Sequence, residues 1–363
     1  MMKQRWLNIL KRVMVEPTAS FREEAIVAVV KDWCKAGGFT CLEDKSGNLT
    51  IKYRRGRKKK GQEWVFTAHM DHPSFVVRRR RGKTLWADFR GGIHQDYFSG
   101  GPVRFFTENG DVLAKIKSAK RDKKLGWWCC TLELKKAVKI PAGTLGMWDV
   151  PVFKKQGDRL SARACDDLAG VAAIMCALEE LKKEKINGHV TAILTRAEEV
   201  GFVGAVAACE SRTLPKNGKI IAIETSAEQP GAKLGDGVVI RVGDRTWTFD
   251  PTLTAHVSKA AALLKKDDKK FNYKRMLMPG GTCESTAFCV FGYQATGLCL
   301  PLGNYHNMGP KKRIGPEKIH LGDYASLIKL LVSIPRLNSG PKELAAKLKS
   351  RLHDRLETRR SFL

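Results

Sequence analysis

The stretch VTAILTRAEEVG, residues 190–201, decides the fold that we predict for this chain. Its first six residues are largely apolar or β-branched, as in a strand that is buried within a sheet. Two adjacent acids, Glu198 and Glu199, follow this strand, and a helical pattern then covers residues 201–209. The succession of strand, acidic turn and helix is typical of an open α/β sheet, in which functional side chains gather where strands end.

The same alternation continues on both sides of this stretch. A helical pattern at residues 170–181 precedes it, and an apolar strand at residues 220–224 follows it. Two further strands are predicted upstream, at residues 48–53 and 63–69. We therefore predict an α/β fold with a central mixed β-sheet that is flanked by helices on both faces.

Two helices are predicted before the first strand. Apolar residues recur at helical spacing over residues 6–14. A second helix is expected to begin near Ser20, because Ser20 and Glu23 have the spacing of a capping box, and to end at Gly37. The basic turn at residues 54–61 is expected to be a solvated hairpin tip.

Residues 74–159 differ in character from the rest of the chain. Their short apolar runs are separated by Gly- and Lys-rich turns, which predicts a small all-β inserted domain. Residues 1–73 and 160–363 would then form one discontinuous α/β domain. Residues 341–363 are predicted to form a basic, amphipathic C-terminal helix with leucines on one stripe.

The composition is that of a globular protein with a large positive charge. The 363 residues include 65 Lys and Arg against 37 Asp and Glu, a formal net charge of +28. This excess indicates either a solvated coat of lysines or an anionic partner, such as nucleic acid, an anionic surface or acidic substrates. No apolar run reaches the ~18 residues that span a bilayer. The ten cysteines include no CxxC pair, which favours reduced thiols and a cytoplasmic location.

Five short segments carry acids or histidines at predicted strand ends. Their side chains are, in chain order, His69 with Asp71, Asp166 with Asp167, Glu198 with Glu199, Glu224, and His306. The carboxyl ends of strands in an open α/β sheet converge on one crevice, so we expect these side chains to meet. Imidazole and carboxylate are ligands that divalent ions accept in hydrolytic sites.

This inventory matches a site for two metal ions. Two ions about 3.5–4 Å apart share a bridging ligand, and one further histidine and acid for each ion completes the set. The chain supplies such a set with His69, Asp166, Glu199, Glu224 and His306. Asp71 lies two residues beyond His69 on the same side of an extended strand, where it can orient the imidazole. Glu198 is then free to act as a general base.

The order of these segments resembles the co-catalytic zinc aminopeptidase clan. A β-rich insert between the His-x-Asp strand and the Asp-Asp turn is similar to the tetrahedral, or glutamyl, aminopeptidase family. The resemblance covers roughly residues 17–331. It implies two zinc ions, with cobalt or manganese as alternatives, and a homo-oligomer, either a dimer or a shell of twelve subunits.

The resemblance also assigns roles to single residues. It implies that His69, Asp166 and Glu224 hold one ion, that Asp166, Glu199 and His306 hold the other, and that the Asp166–Asp167 bond is cis. Two positions depart from the family pattern. The fourth ligand is Glu224 where Asp is usual, and Cys283-Glu284 stands in a loop where the family has Asp.

Three functions follow as hypotheses. The first is an aminopeptidase that cleaves short peptides by metal-bound hydroxide, with Glu198 as general base and Asp71 as orienting carboxylate. The second is a metal-dependent N-acyl amino acid deacylase or carboxypeptidase with the same site. The third is a non-enzymatic protein that binds polyanions or nucleic acid on this scaffold, although the sequence contains no recognised nucleic-acid module.

The net charge leads to a first prediction. We expect the protein to bind polyanions weakly and non-specifically, because each neutralised phosphate or sulfate releases counterions. Retention on a polyanion column should therefore fall steeply between low and moderate salt. Retention that is unchanged over this range would show that the charge does not act in this way.

Overall fold

The computed structural model of the chain describes residues 2–57, 63–337 and 341–363. The second half of the predicted turn at residues 54–61 lies outside the described residues. The described part contains eight α-helices. They are α1 (Gln4–Met14), α2 (Glu24–Gly37), α3 (Leu168–Lys183), α4 (Val203–Glu210), α5 (Pro251–Asp267), α6 (Glu284–Val290), α7 (Leu321–Ser333) and α8 (Pro341–Glu357).

The described residues also form seventeen β-strands. They are β1 (Thr40–Glu43), β2 (Leu49–Arg55), β3 (Glu63–His69), β4 (Ser74–Arg81), β5 (Thr84–Arg90), β6 (Pro102–Phe105), β7 (Val112–Arg121), β8 (Trp128–Leu134), β9 (Leu145–Trp148), β10 (Phe153–Gln156), β11 (Arg159–Ala162), β12 (Gly188–Thr195), β13 (Lys219–Ala227), β14 (Val238–Asp244), β15 (Tyr273–Met278), β16 (Gln294–Leu302) and β17 (Glu317–His320).

Eight of these strands form the central sheet, in the order β1-β2-β12-β3-β13-β16-β14-β15. The middle strands β12, β3, β13 and β16 run parallel to one another. On either side of them, β2 pairs antiparallel with β12, and β14 pairs antiparallel with β16. The sheet is therefore mixed, and the predicted fold class is confirmed.

Helices cover both faces of this sheet because its middle strands are apolar on both faces. On β3, Trp64 and Phe66 belong to the larger hydrophobic cluster, together with residues of α1, α2, α3, α5 and α7. Val65, which points the opposite way, belongs to a second cluster with residues of α4 and α6. The helix α3 contacts both α1 and α7, and its residues from Leu168 to Leu178 are all buried.

A closed barrel is formed by the strands β4 to β9, in the order β4-β5-β8-β7-β6-β9. It has a hydrophobic cluster of its own, which includes Phe75, Phe89 and Trp148. The next strands, β10 and β11, leave the barrel and join β17 in a separate three-stranded sheet. The barrel agrees with the predicted β-rich character of this region, whereas the domain boundaries at residues 73 and 160 stay a prediction.

The predicted start of the second helix is wrong. α2 begins at Glu24, and neither Ser20 nor Glu23 caps it through its side chain. Ser20 Oγ instead donates a hydrogen bond to Asp71 Oδ2 at 2.6 Å, and Glu23 Oε1 accepts one from the backbone N–H of Ala197 at 3.1 Å. Tertiary partners therefore take both polar side chains away from the helix end.

The C-terminal helix is shorter than predicted. α8 ends at Glu357, and a short 3₁₀ turn follows at Arg360–Phe362.

Among the described helices, none combines the length and the apolar character that crossing a bilayer requires.

Candidate metal centre

The predicted functional segments meet at one edge of the central sheet. His69 is the last residue of β3, and Glu224 lies near the end of β13. Glu198 and Glu199 lie in a short 3₁₀ turn just after β12, and His306 lies in another such turn after β16. These strands are neighbours and run parallel, so their carboxyl ends deliver the side chains to the same crevice.

Asp166, which lies just before α3, is placed between the two histidines. Its Oδ1 is 3.5 Å from Nε2 of His69, and its Oδ2 is 3.5 Å from Nε2 of His306. The Asp166–Asp167 peptide bond is cis, as the family resemblance implies. One carboxylate thus faces two imidazoles, which is the arrangement that a bridging ligand between two ions requires.

Each histidine has a further acid beside it. Glu224 Oε1 lies 3.5 Å from His69 Nε2, and Glu199 Oε1 lies 3.2 Å from His306 Nε2. Glu198 Oε2 is also near, at 3.9 Å from His69 Nε2. The possible ligand atoms form two groups, and the atoms within each group lie within 4.8 Å of one another. The first group is His69, Glu198 and Glu224, and the second is Asp166, Glu199 and His306.

Several of these buried atoms lack a hydrogen-bond partner. Within the described part of the chain, this holds for His69 Nε2, Asp166 Oδ1 and Glu199 Oε1. A buried polar atom without a partner costs about 1–3 kcal/mol, and the nearby carboxylates also repel one another. Divalent cations relieve both costs, and imidazole nitrogen with carboxylate oxygen is the donor set that zinc accepts. The residues therefore fit a pair of divalent ions.

The ionisation of these side chains reflects the same crowding of acids. Burial raises the pKa of Glu198 well above its ordinary value, and the charge of Glu224 raises it further. Burial by itself lowers the pKa of His69, but the charge of Glu198 and the nearby carboxylates of Asp166, Asp71 and Glu224 outweigh it, so the pKa rises well above 6.5. The crevice thus has a negative potential that favours cations.

Asp71 contacts more of the site than the sequence predicts. His69 Nδ1 lies 3.1 Å from the backbone carbonyl oxygen of Asp71 and 3.4 Å from its Oδ1, so Asp71 orients the ring through both groups. Its two oxygens also accept hydrogen bonds from the backbone N–H groups of Glu198, at 3.0 Å, and Glu199, at 3.2 Å. Asp71 therefore links the end of β3 to the acidic turn after β12.

Glu317 is a buried residue of the site that the sequence does not reveal. Its Oε2 accepts hydrogen bonds from the backbone N–H groups of Cys165, at 2.7 Å, and Asp166, at 3.1 Å. Its Oε1 accepts one from the N–H of His306 at 2.8 Å. A single Glu in the segment Pro-Glu-Lys-Ile carries no local signal of this role, which depends on β17 lying beside both loops.

Two more polar contacts hold His306 and the Asp166 turn in place. His306 Nδ1 lies 2.5 Å from the carbonyl oxygen of Gly92, in the loop after β5. His72 Nδ1 lies 2.7 Å from the carbonyl oxygen of Asp166, so His72 supports the Asp-Asp turn. His94 is exposed and lies at the start of a 3₁₀ turn in the barrel segment.

An open α/β sheet with imidazoles and carboxylates gathered at the carboxyl ends of its strands is the architecture of a metal-dependent hydrolase. The sequence model of the M42 glutamyl aminopeptidase family matches residues 47–330. The chain belongs to this family and is therefore a peptidase, which confirms the predicted resemblance. This family membership does not support the third hypothesis, a purely non-enzymatic binding protein.

Similar proteins agree with this assignment. A protein of Acetivibrio thermocellus named "Putative aminopeptidase" is 24% identical over 326 residues, which cover 85% of this chain and 91% of that protein. The structure of an aminopeptidase from the archaeon Desulfurococcus kamchatkensis has a TM-score of 0.76 at 20% identity, over 93% of this chain and 96% of that one. The TET1 peptidase of Pyrococcus horikoshii has a TM-score of 0.74 at 24% identity, over 91% and 99%.

The unsatisfied ligand atoms lead to a prediction about metal content. Protein reconstituted with zinc, cobalt or manganese should hold up to two divalent ions per chain by elemental analysis. Chelation should remove them and abolish peptide hydrolysis, and the same metal added back should restore it. Protein that holds no metal after reconstitution would contradict the assignment of the centre.

Proposed function

We propose that this chain is an aminopeptidase that removes N-terminal residues from short peptides and requires two divalent ions, zinc by preference, with cobalt or manganese as alternatives. His69, Asp166 and Glu224 would hold one ion, and Asp166, Glu199 and His306 the other. The observation that carries the proposal is the Asp166 carboxylate, whose two oxygens lie 3.5 Å from Nε2 of two different histidines. Family membership supports the peptidase chemistry.

The chemistry divides between the ions and the protein. When bound, divalent ions polarise a carbonyl group and make a water molecule more acidic. Glu198 lies in the same crevice, takes a proton from the attacking water and returns it to the leaving amine. Asp71 holds both the His69 ring and the backbone of the Glu198 turn in place.

Substitutions of the two adjacent acids should therefore have different effects on turnover and on metal binding. Glu198→Gln keeps the size of the side chain but removes the base, so turnover should fall about 100- to 10,000-fold with both metals still bound. Glu199→Gln removes an anionic ligand, so one metal should bind more weakly, and high metal concentration should partly restore turnover. The measurement is metal stoichiometry and turnover for both variants side by side.

Two outcomes would contradict this division of roles. Near-normal turnover of Glu198→Gln with both metals bound would show that another group is the base. Identical behaviour of the two variants would show that neither acid has the role proposed for it. Glu210→Gln, a change of an exposed acid at the end of α4, is a matched control and should leave metal content and turnover unaltered.

A buried cation in the crevice points to the class of substrate. Arg241 on β14 is only 2% exposed and lines the same crevice as Glu198 and Glu224. Among the described residues, its Nε and Nη1 have no hydrogen-bond partner. Buried guanidinium groups are normally paired with an anion, so we propose that Arg241 receives the carboxylate of an acidic N-terminal residue.

This proposal is tested by the substrate preference of an Arg241 variant. Arg241→Met keeps much of the bulk but removes the charge. The kcat/KM for an N-terminal Glu substrate should fall about 10- to 100-fold relative to an N-terminal Leu substrate, as expected for losing charged hydrogen bonds. The exposed Arg245 provides the matched control, since Arg245→Met should leave the ratio unchanged. An unchanged ratio in a folded Arg241→Met protein would remove Arg241 from substrate binding.

The deacylase or carboxypeptidase alternative uses the same metal centre and differs in the substrate group that it binds. Membership of an aminopeptidase family favours a free amine at the N-terminus over an N-acyl amino acid. Comparing hydrolysis of a free dipeptide with that of an N-acyl amino acid separates the two.

The assembly and location of the protein also belong to the proposal. The Pyrococcus horikoshii TET1 peptidase assembles into a tetrahedron or a large octahedral shell. We propose a homo-oligomer for this chain on that basis, with a dimer or a dodecamer as the two forms. All ten cysteines are free thiols, which supports the predicted cytoplasmic location.

A further inference from the structure

The helix α8 exposes an apolar stripe that extends beyond its contact with α5. Leu348, Leu352 and Leu356 are 46%, 53% and 40% exposed. In the 3₁₀ turn that follows, Phe362 is 87% exposed. Single exposed leucines are ordinary, but three on one side of one helix form an apolar stripe.

The first three turns of α8 lie against the start of α5. Ala345, Leu348 and Arg351 line a groove there with Pro251 and Ala255. All side chains from Ala345 onwards are exposed, and the hydrophobic clusters of the described residues include none of them. The later turns of α8 therefore present their leucines to whatever lies outside the protein.

Cations flank this stripe on both sides. With about 100° per residue, Leu352 and Leu356 lie about 40° and 80° around the helix from Leu348. On one side of the stripe, Arg355 and Arg351 lie about 20° and 60° before Leu348, and on the other, Lys349 lies about 20° beyond Leu356. The positive charges thus border the apolar surface directly.

The acids of the helix lie on the opposite side. Glu343, Asp354 and Glu357 are about 120° to 180° around the helix from Leu348. Residues 341–363 contain seven Lys and Arg against three Asp and Glu, so the segment is also positive as a whole. A leucine stripe bordered by cations, with the acids behind, is the pattern of a helix that lies in a membrane interface.

We propose that α8 is a surface anchor that lies flat on an anionic phospholipid bilayer. Leu352 and Leu356 would enter the boundary between headgroups and acyl chains, and Arg355 and Lys349 would contact the lipid phosphates. The net charge of +28 on the whole chain adds a long-range attraction to the same surface. The helix rests on the bilayer and does not cross it.

Other occupants of this surface agree less well with the charges and the spacing. A second copy of α8 would bring like charges together. The leucines also recur every four residues. This spacing moves each leucine further around the helix and does not match the alternating three- and four-residue spacing of a coiled-coil seam. A nucleic acid would pair with the cations but would leave the leucine stripe in water.

The test compares vesicle binding of variants with equal changes at different places. Co-sedimentation should show that the protein binds phosphatidylglycerol vesicles and not phosphatidylcholine vesicles. Leu352→Asp should weaken partitioning to the anionic vesicles at least about 10-fold, because it places a charge in the apolar stripe. Leu42 on β1 has the same 53% exposure, so Leu42→Asp should bind as the unaltered protein does. Peptidase turnover in solution should be the same for all three proteins, since α8 lies outside the metal centre.

Each other outcome would overturn the proposal. Equal binding of the two variants would show that the overall charge alone holds the protein to anionic vesicles. No vesicle binding by the unaltered protein, together with a change of oligomeric state in Leu352→Asp, would make the stripe an interface between copies of the chain. No vesicle binding, together with capture of an acidic protein that Leu352→Asp abolishes, would make it a protein-docking site.

Discussion

The negative charge that is buried at the carboxyl edge of the central sheet is the constraint on which the rest of the structure depends. Four acids, Asp166, Glu198, Glu199 and Glu224, lie beside two imidazoles at the end of an otherwise apolar layer. Removing each charge from water costs several kcal/mol, and the acids repel one another. Such a cluster is stable only when cations compensate it and when the surrounding chain holds it in one geometry.

Two buried carboxylates that lie outside the cluster provide that geometry. Asp71 accepts hydrogen bonds from the backbone of the Glu198-Glu199 turn, and Glu317 accepts them from the backbone of both the Asp166 and the His306 loops. Because the loops are held by their main chain, the side chains remain free to face the crevice. The barrel also takes part, since the Gly92 carbonyl lies against the His306 ring.

The large excess of cations acts differently inside and outside the protein. Arg241 is buried in the crevice, where the low dielectric makes a single charge strongly selective for an anion. The cations on α8 are exposed and screened by salt, so each contributes little alone and they act together with the leucine stripe. Under the two proposals, the same residue types would provide substrate selection in one place and attraction to a surface in the other.

The sequence by itself determined the fold class and the members of the candidate centre. Apolar periodicity is a local property, so the strand at residues 190–195 and the helix after it can be predicted without knowing their neighbours. Parallel strands end at one edge of a sheet, and this rule is enough to predict that His69, Glu198 and Glu224 lie close together. Asp166 follows β11, a strand of another sheet, so the rule does not place it.

Only the tertiary structure decided which polar groups hold that centre in place. Ser20 and Glu23 have the spacing of a helix cap, yet they bond to Asp71 and Ala197 far along the chain. Glu317 contacts Cys165 across 152 positions of sequence, and its neighbours in the chain give no sign of it. A buried acceptor bonds to whichever N–H groups the packing brings near, and that choice is made by how the loops, sheets and barrel fit together, not by local pattern.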